Sequence, residues 1–217
     1  MIVKQHRSNA NPVNGVEKAL PKQGAKPKHH AALPWADMPA PWLEIAGRDG
    51  MGKLAQRFTV LTAALSGEIR GARWSEIDLE ARMWTVPAER EGKGEHRVPL
   101  SEAAVEVLRA IEGMDADLVF LSTRQGKMLS DMTLAAVLKR MDVPVTVHGF
   151  RSTFRGWCND RGGVQREIAE AALAHQLTNK VESAYSRFAH FEKRRVVMDR
   201  WAAYCTGGTG NVVARNA

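Results

Sequence analysis

Apolar residues recur at helical spacing in the first part of this 217-residue chain. Residues 51–64 carry apolar side chains at 54, 55, 58, 60, 61 and 64, which predicts a helix. A shorter helix is predicted over 37–46, with prolines in or near its first turn and Gly47 at its end. Ser66 is the predicted N-cap of a third helix, which extends to Ala72.

The hydrophobic period then changes from that of a helix to that of a strand. IDLEARMWTVPA and EHRVPL are typical of strands, with a turn over 79–82 and the loop EREGKGE between them. They predict a small antiparallel sheet of two or three strands. The pattern predicts a brief strand over 119–122 and helices over 101–112, 130–141, 149–161, 164–174, 179–187 and 190–204. The predicted fold class is therefore α+β and mainly helical, without internal repeats.

Composition places the chain among ordinary soluble globular proteins, since 44% of its residues are hydrophobic and 25% are charged. No apolar run reaches transmembrane length, and MIVKQHRSNANP lacks a signal-peptide core. We therefore predict a cytoplasmic protein that does not contact a membrane. Cys158 and Cys205 form no C-x-x-C pair, which favours a reducing compartment and argues against structural zinc. No metal or other cofactor is expected.

The net charge of +7 is concentrated at one end of the chain. Residues 1–30 contain six Lys or Arg and a single acid, Glu17, whereas the other 187 residues contain 25 basic and 23 acidic residues. A nucleic-acid surface on the globular part must therefore be a local basic patch. The first 30 residues fit either a basic arm that follows a phosphate backbone or a solubilising tail.

VHGFRSTFRGWCNDRGG, residues 147–163, places a histidine and an arginine one helical turn apart at a predicted helix start. His148 and Arg151 are at i and i+3, so they share one helix face. Backbone N–H groups and the helix dipole at that position favour an anion. The pair suits a phosphate. A capping histidine beside a solvated arginine is the alternative.

Four other elements carry candidate chemistry. His175 follows the apolar run IAEAALA, where a cap or core role is the alternative. Tyr185 lies on a polar segment ten residues later, whereas packing of the last helix explains Tyr204, the other tyrosine. Lys93 lies between two glycines at the predicted hairpin tip, where a lysine is ordinarily solvated. The fourth element is TAALSGEIRGARW, residues 62–74.

In this order, the motifs resemble the catalytic domain of tyrosine recombinases, in the phage and genomic-island integrase branch. The matching pieces are SGEIRGARWSEID, the hairpin WTVPAER…EHRVPLS, HGFR, LAH and ESAY. The resemblance implies a catalytic domain over 32–205 and a flexible tail over 206–217. Residues 1–31 are then expected to be a basic linker or the remnant of a missing core-binding domain.

The resemblance also implies residue roles. Tyr185 would be the nucleophile, Arg151 the second catalytic arginine, and His148 its paired histidine. His175 would hydrogen-bond the scissile phosphate, and Lys93 would be the general acid, in a loop about one residue shorter than usual for this branch. Glu68 would support the site, and Arg70, Arg73 and Lys180 would contact DNA.

The chemistry requires these residue types. A tyrosine oxygen can attack phosphorus and remain attached, which conserves the phosphodiester energy. Planar arginines stabilise charge on the non-bridging oxygens, and a lysine can protonate the departing 5′ hydroxyl. The family pattern, however, has a first arginine in T-x-x-R-x-G-E, and Leu65 occupies that position here. Loss of one such donor costs roughly 3 kcal/mol, so activity is expected to be impaired.

Several functions therefore stay open. The leading prediction is a site-specific recombinase that acts on double-stranded DNA through a 3′-phosphotyrosine intermediate and self-associates on DNA up to a tetramer. The second is a non-catalytic DNA-binding remnant or accessory protein with the same fold. A type IB topoisomerase is a third alternative, which shares the catalytic residues but not the local sequence motifs of integrases. A protein unrelated to DNA is the last alternative.

Overall fold

Three helices open the part of the chain that the structure describes. The computed structural model describes residues 31–47, 50–91, 94–124, 126–175 and 183–207, and it describes only the backbone of 91 and 183–189. The helices are α1 (Pro39–Ala46), α2 (Met51–Thr62) and α3 (Ser66–Arg70), and a 3₁₀ turn over Trp35–Asp37 precedes α1. Proline begins α1 and Gly47 ends it, as the sequence predicts.

The predicted cap of α3 was wrong by one residue. Leu65 is the N-cap and Ser66 is the first helical residue. The carboxylate of Glu68 accepts the backbone N–H of Leu65 at 2.5 Å, which supplies the acidic half of a capping box without a Ser or Thr cap. The predicted end of α2 was also two residues late, because Ala63 has a left-handed conformation at φ 50°.

The predicted sheet is confirmed, with three antiparallel strands in the order β1-β2-β3. They are β1 (Ile77–Asp78), β2 (Met83–Val86) and β3 (His96–Pro99), and a 3₁₀ turn over Trp74–Glu76 precedes β1. A four-residue helix, α4 (Ala88–Glu91), lies in the β2–β3 connection. Residues 119–122, predicted as a brief strand, form only an isolated bridge between Leu121 and Met128. The strand prediction there was wrong.

The remaining regular elements of the described chain are helices. Its elements are α5 (Glu102–Arg109), α6 (Thr133–Arg140), α7 (Gly149–Asp160), α8 (Arg166–Ala172) and α9 (Ser183–Cys205). The predicted break between helices at 179–187 and 190–204 was wrong, since α9 is continuous from Ser183. No glycine or proline interrupts it. The α+β, mainly helical class is confirmed.

Aromatic side chains anchor α9 to the core. Trp201 is fully buried, its Nε1–H donates to the Val60 carbonyl at 2.8 Å, and its ring lies 5.5 Å from that of Phe154. On the other side of α2, Phe58 contacts Trp84 of β2, with ring centroids 5.4 Å apart. The second half of α9 therefore packs against its own chain. Among the described elements, none combines the length and apolarity of a membrane-spanning helix.

Candidate active site

Arg151 lies in the first turn of α7 and is 7% exposed. Its Nη1 donates to the carbonyl of Ala63 at 2.6 Å, and its Nη2 donates to the carbonyl of Leu173 at 2.5 Å. The first carbonyl lies between α2 and α3, and the second lies just after α8. Two fixed acceptors hold the guanidinium in one orientation, so Arg151 joins three segments of the chain.

His148 is the N-cap residue of α7, and its side chain is exposed. The helix start predicted here is confirmed. Gly149, the first residue of α7, allows a close backbone approach, since a Cβ there would lie 2.1 Å from the carbonyl oxygen of Ala31. The backbone of residue 31 also accepts the N–H of Thr146 at 3.0 Å. The chain before α1 therefore braces the HGFR segment.

His175 follows the end of α8. Ala174 has a left-handed conformation at φ 53°, which turns the chain so that the His175 N–H donates to the Glu170 carbonyl at 3.0 Å. The imidazole Nδ1 lies 2.6 Å from Oε2 of Glu170, and the side chain is 46% exposed. His175 is therefore not a core residue. Its ring is held on one edge, and much of its surface faces solvent.

Three side chains meet at consecutive carbonyls at the C-terminus of α8. Arg194 of α9 donates to the Ala171 carbonyl at 3.3 Å, Arg151 donates to the Leu173 carbonyl, and the imidazole of His96 in β3 lies near the Ala172 carbonyl between them. A helix C-terminus carries unpaired carbonyls and a partial negative charge, which cationic and N–H donors stabilise. This junction fixes Arg151 relative to the loop that carries His175.

Burial and positive charge dominate the electrostatics of the junction. Burial, followed by the charges of Arg194 and Arg151, lowers the pKa of His96 to about 4, so its imidazole is neutral at pH 7. Burial lowers the pKa of Arg194 to about 10, which leaves it charged. Within the described part of the chain, the buried Nε of Arg194 has no hydrogen-bond partner. Two buried guanidiniums beside a neutral imidazole make a site that favours an anion.

The sequence interpretation missed His96, Arg194 and Glu170. Period-2 alternation puts His96 on the same strand face as the buried Val98, and that signal was available. Arg194 lies one turn before the buried Met198 of α9, which places it on the core face. Glu170 is a single carboxylate within an apolar run. Each is a charged or polar residue at a position that the periodicity assigns to the interior.

The α2–α3 segment carries the first motif. Leu65 is half-buried, and Glu68 is 3% exposed. The carbonyl of Glu68 accepts from Nη1 of Arg90 at 3.2 Å, which ties α3 to the β2–β3 connection. Leu65 and Glu68 lie on the segment whose Ala63 carbonyl binds Arg151. The structure thus brings this segment next to those of Arg151 and His175.

Arg70 and Arg73, the predicted DNA contacts of this motif, both bind other parts of the domain. Nη1 of Arg70 donates to the Leu129 carbonyl at 3.3 Å. The Arg73 guanidinium forms an exposed ion pair with Asp117, which raises the pKa of Arg73. Neither contact uses the whole guanidinium. Their contact with DNA stays a prediction.

The other predicted site residues are described only in part or not at all. Tyr185 lies in the first turn of α9, and its side chain is outside the described residues. Lys93 and Lys180 also lie outside them. The hydroxyl of Tyr204 donates to the Trp35 carbonyl at 2.9 Å, and its ring stacks on Trp201 with centroids 6.0 Å apart. Packing therefore accounts for Tyr204, as predicted from the sequence.

An open groove elsewhere on the domain is unsuited to DNA. Its lining includes the acidic residues Glu76, Asp78, Glu80, Glu112 and Asp115. These carboxylates would repel a phosphate backbone. None of the candidate catalytic side chains described above lines this groove. The candidate site is therefore the junction around Arg151 and the end of α8.

Comparison with known families identifies the chain. The model of the family described as "Phage integrase family" matches residues 51–191, from the start of α2 into α9. This range includes His96, Arg151 and the segment from α8 to His175, whereas Arg194 lies just beyond it. The chain belongs to the phage integrase family. The resemblance read from its motifs is thereby confirmed.

Curated members of the phage integrase family match most of this chain. The integrase of Enterobacteria phage P4 is 31% identical over 219 residues, which cover 90% of the chain and 49% of that protein. Prophage integrase IntZ of Escherichia coli K12 is 34% identical over 200 residues, which cover 88% of the chain and 48% of that protein. This integrase-family chain thus spans about half the length of these relatives.

Solved structures show the same fold. XerA recombinase superimposes with a TM-score of 0.56 at 18% identity, over 82% of this chain and 70% of that protein. A lambda integrase tetramer bound to a Holliday junction has a TM-score of 0.56 at 20% identity, over 75% of this chain and 52% of that protein. The integrase-family chain therefore has the tyrosine recombinase catalytic-domain fold, as expected from its motifs.

Proposed function

We propose that this chain is the catalytic part of a site-specific DNA recombinase that cleaves and rejoins strands through a 3′-phosphotyrosine intermediate. The observation that carries the proposal is the position of Arg151. Its guanidinium is held by carbonyls on both sides, between the first-motif segment and the loop that carries His175. A preorganised arginine and a half-exposed imidazole on the adjoining loop suit one phosphate.

In the proposed reaction, the hydroxyl oxygen of Tyr185 attacks the scissile phosphorus and displaces the 5′ oxygen. Lys93 protonates that oxygen as the bond to phosphorus breaks. Arg151 and His175 bind the non-bridging oxygens, on which negative charge accumulates, and His148, at the start of α7, accepts the proton that leaves the Tyr185 hydroxyl. Glu68 holds the start of α3. Attack of a 5′ hydroxyl on the phosphotyrosine reverses the step and releases the tyrosine.

Double-stranded DNA is the proposed partner, contacted in part by Arg70, Arg73 and Lys180. The lambda integrase structures contain DNA, and one of them is a tetramer on a Holliday junction. By analogy, this chain would self-associate on DNA up to a tetramer, in the cytoplasm where the DNA lies. Phosphate contacts would dominate its affinity, so binding should weaken steeply with salt.

Leu65 favours a second candidate function, a non-catalytic DNA-binding protein with the integrase fold. A leucine neither donates a hydrogen bond nor carries charge, so the first arginine's contribution to the transition state is absent. Absence of one arginine should slow cleavage far more than it weakens DNA binding, to which several phosphate contacts contribute. The two functions therefore differ in turnover and not in architecture.

A nicked suicide duplex tests the proposal. Loss of a short fragment after cleavage prevents religation, so a competent protein accumulates a covalent adduct that survives denaturation. The assay should include the N-terminal half of a full-length relative, added in trans. We expect a slow-forming adduct through Tyr185, located by mass spectrometry of the linked peptide. Salt-sensitive duplex binding without an adduct, in this chain and in its Leu65→Arg variant, would favour the DNA-binding function.

A further inference from the structure

Glu170 is a buried carboxylate in an otherwise apolar stretch of α8. It is 8% exposed, and its helix neighbours Ile168, Ala169 and Ala172 are also buried. An ionised carboxylate is costly to bury unless it is paired and hydrogen-bonded. The partners of Glu170 therefore explain how the domain tolerates it.

Those partners come from two other segments. Oε2 lies 2.6 Å from Nδ1 of His175, and Oε1 forms an ion pair with the guanidinium of Arg155 on α7. The backbone N–H of His175 also donates to the Glu170 carbonyl at 3.0 Å. The main chain and the side chain of His175 are thus both bound to one residue. The left-handed Ala174 between them, an unfavourable conformation for alanine, makes this double contact possible.

The contact determines which ring nitrogen of His175 can meet a ligand. An ionised carboxylate only accepts hydrogen bonds, so the proton shared with Glu170 is carried by Nδ1. Nε2 lies on the opposite edge of the ring, and the His175 side chain is 46% exposed. Nε2 is therefore the nitrogen available to a phosphate oxygen.

We propose that Glu170 is a positioning residue for His175, and the proposal rests on the proposed recombinase function. Glu170 fixes the ring orientation and the Nδ1–H tautomer. With Nδ1 bound to Glu170, a hydrogen bond from His175 to a non-bridging phosphate oxygen is made through Nε2, which must itself carry a proton in order to donate. Arg155 holds the second carboxylate oxygen, so that Glu170 does not rotate away from the ring. In the described part of the chain, the charged groups at this helix end include Arg155 and Arg151 on α7 and Arg194 on α9.

The same contacts could instead serve only to terminate α8. A structural role predicts that loss of Glu170 lowers stability without changing the state of the imidazole in the molecules that stay folded. A positioning role predicts a changed tautomer in the folded protein. The state of the His175 ring nitrogens therefore separates the two.

The decisive measurement is nitrogen-15 NMR of the histidine side chains in the full chain, at a pH where His175 is neutral. We expect Nδ1–H in the unmodified protein and a shift toward Nε2–H, the tautomer preferred by free histidine, in Glu170→Ala. Glu167→Ala is the matched control, since Glu167 is an exposed glutamate one turn earlier on the same helix. It should leave the His175 signals unchanged. Retention of Nδ1–H in folded Glu170→Ala would overturn the proposal.

A second arm measures adduct formation on the suicide duplex. Glu170→Ala should slow the rate constant for adduct formation by about 10- to 100-fold, as for other residues that orient a functional histidine, and change duplex affinity by less than about threefold. Glu170→Asp, which keeps the charge, should recover part of the rate. A rate in Glu170→Ala equal to that of the unmodified protein would also overturn the proposal. The NMR measurement does not require a protein that cleaves DNA. An inactive chain would therefore count against the proposed function, whereas the tautomer of His175 would still decide the role of Glu170.

Discussion

The carboxylate of Glu68 accepts the backbone N–H of Leu65 at 2.5 Å, across the first turn of α3. The acid of the first motif thus holds in place the residue that stands where the family pattern has an arginine. The segment is also tied to the site, because the carbonyl of Ala63 accepts from Arg151 at 2.6 Å. On the proposed assignment, this backbone would hold a catalytic arginine that the chain lacks.

Restoring that arginine should therefore increase cleavage. We expect Leu65→Arg to raise the rate of adduct formation on a suicide duplex by about 10²-fold or more, because it adds a donor to the charge of the transition state. Duplex binding should change modestly, with the salt slope altered by about one unit. Leu65→Gln, which has similar length and no charge, is the control and should give little of the gain.

Two results would contradict this explanation of Leu65. Equal rates for the unmodified chain and Leu65→Arg would mean that another residue fills the role, with Arg70 the first to test by substitution. Absence of cleavage in both, with intact duplex binding, would mean that more than one catalytic contribution has been lost.

The two tyrosines should behave differently. Tyr185→Phe should abolish the covalent adduct, whereas Tyr204→Phe should retain it. The hydroxyl of Tyr204 already donates to the Trp35 carbonyl, and burial raises its pKa, so it is a poor nucleophile. Tyr204→Phe should instead lower the free energy of unfolding by about 1 kcal/mol through loss of that hydrogen bond. An adduct that depends on Tyr204 would overturn the assignment of the nucleophile.

Arg151→Lys should damage both stability and cleavage. A lysine cannot span the carbonyls of Ala63 and Leu173 in the fixed fork of a guanidinium, so at least one buried acceptor loses its partner. We expect the free energy of unfolding to fall by about 1–3 kcal/mol. Urea unfolding measures this loss, and adduct formation at a temperature where the variant is folded measures the catalytic effect. If Arg151→Lys were as stable as the unmodified chain, the hydrogen bonds from the guanidinium to the two carbonyls would not contribute to stability.

His96 should make stability depend on pH. Burial and the charges of Arg194 and Arg151 lower its pKa from 6.5 to about 4, so the unfolded chain binds the proton more tightly than the folded one. This contribution to stability is complete above pH 6.5 and is lost as pH falls toward 4. The loss is on the order of 2 kcal/mol at pH 5.

The comparison with His96→Gln isolates this contribution, since glutamine does not titrate and is a polar side chain of similar length. Urea unfolding at several pH values should show the unmodified chain losing stability faster than the variant between pH 6.5 and 4, the range set by the two pKa values of His96. If the free energies of unfolding of the unmodified chain and of His96→Gln changed in parallel with pH, His96 would not be buried beside the two arginines.

Sequence alone determined the features that depend on neighbouring residues. The 3.6-residue period over 51–64 predicted α2, and Pro39 and Gly47 marked the ends of α1. Period-2 segments around a polar loop predicted the sheet, whose three strands pair as consecutive neighbours. The motif spacing identified the family. These signals are local, so one stretch of chain contains all the information needed to read them.

Only the tertiary structure decided what surrounds each candidate residue. Arg151 binds carbonyls 88 and 22 residues away, and His96 joins it from β3. The His175–Glu170 contact needs the turn at Ala174, where alanine adopts a conformation that no local propensity predicts. Such contacts form because helices and strands that are distant in sequence pack on a common core. The same packing accompanies the single continuous helix α9, where the sequence pattern had predicted two helices. The hydrophobic period of a segment indicates which face of a helix or strand is buried, but it does not indicate which distant residue packs against that face.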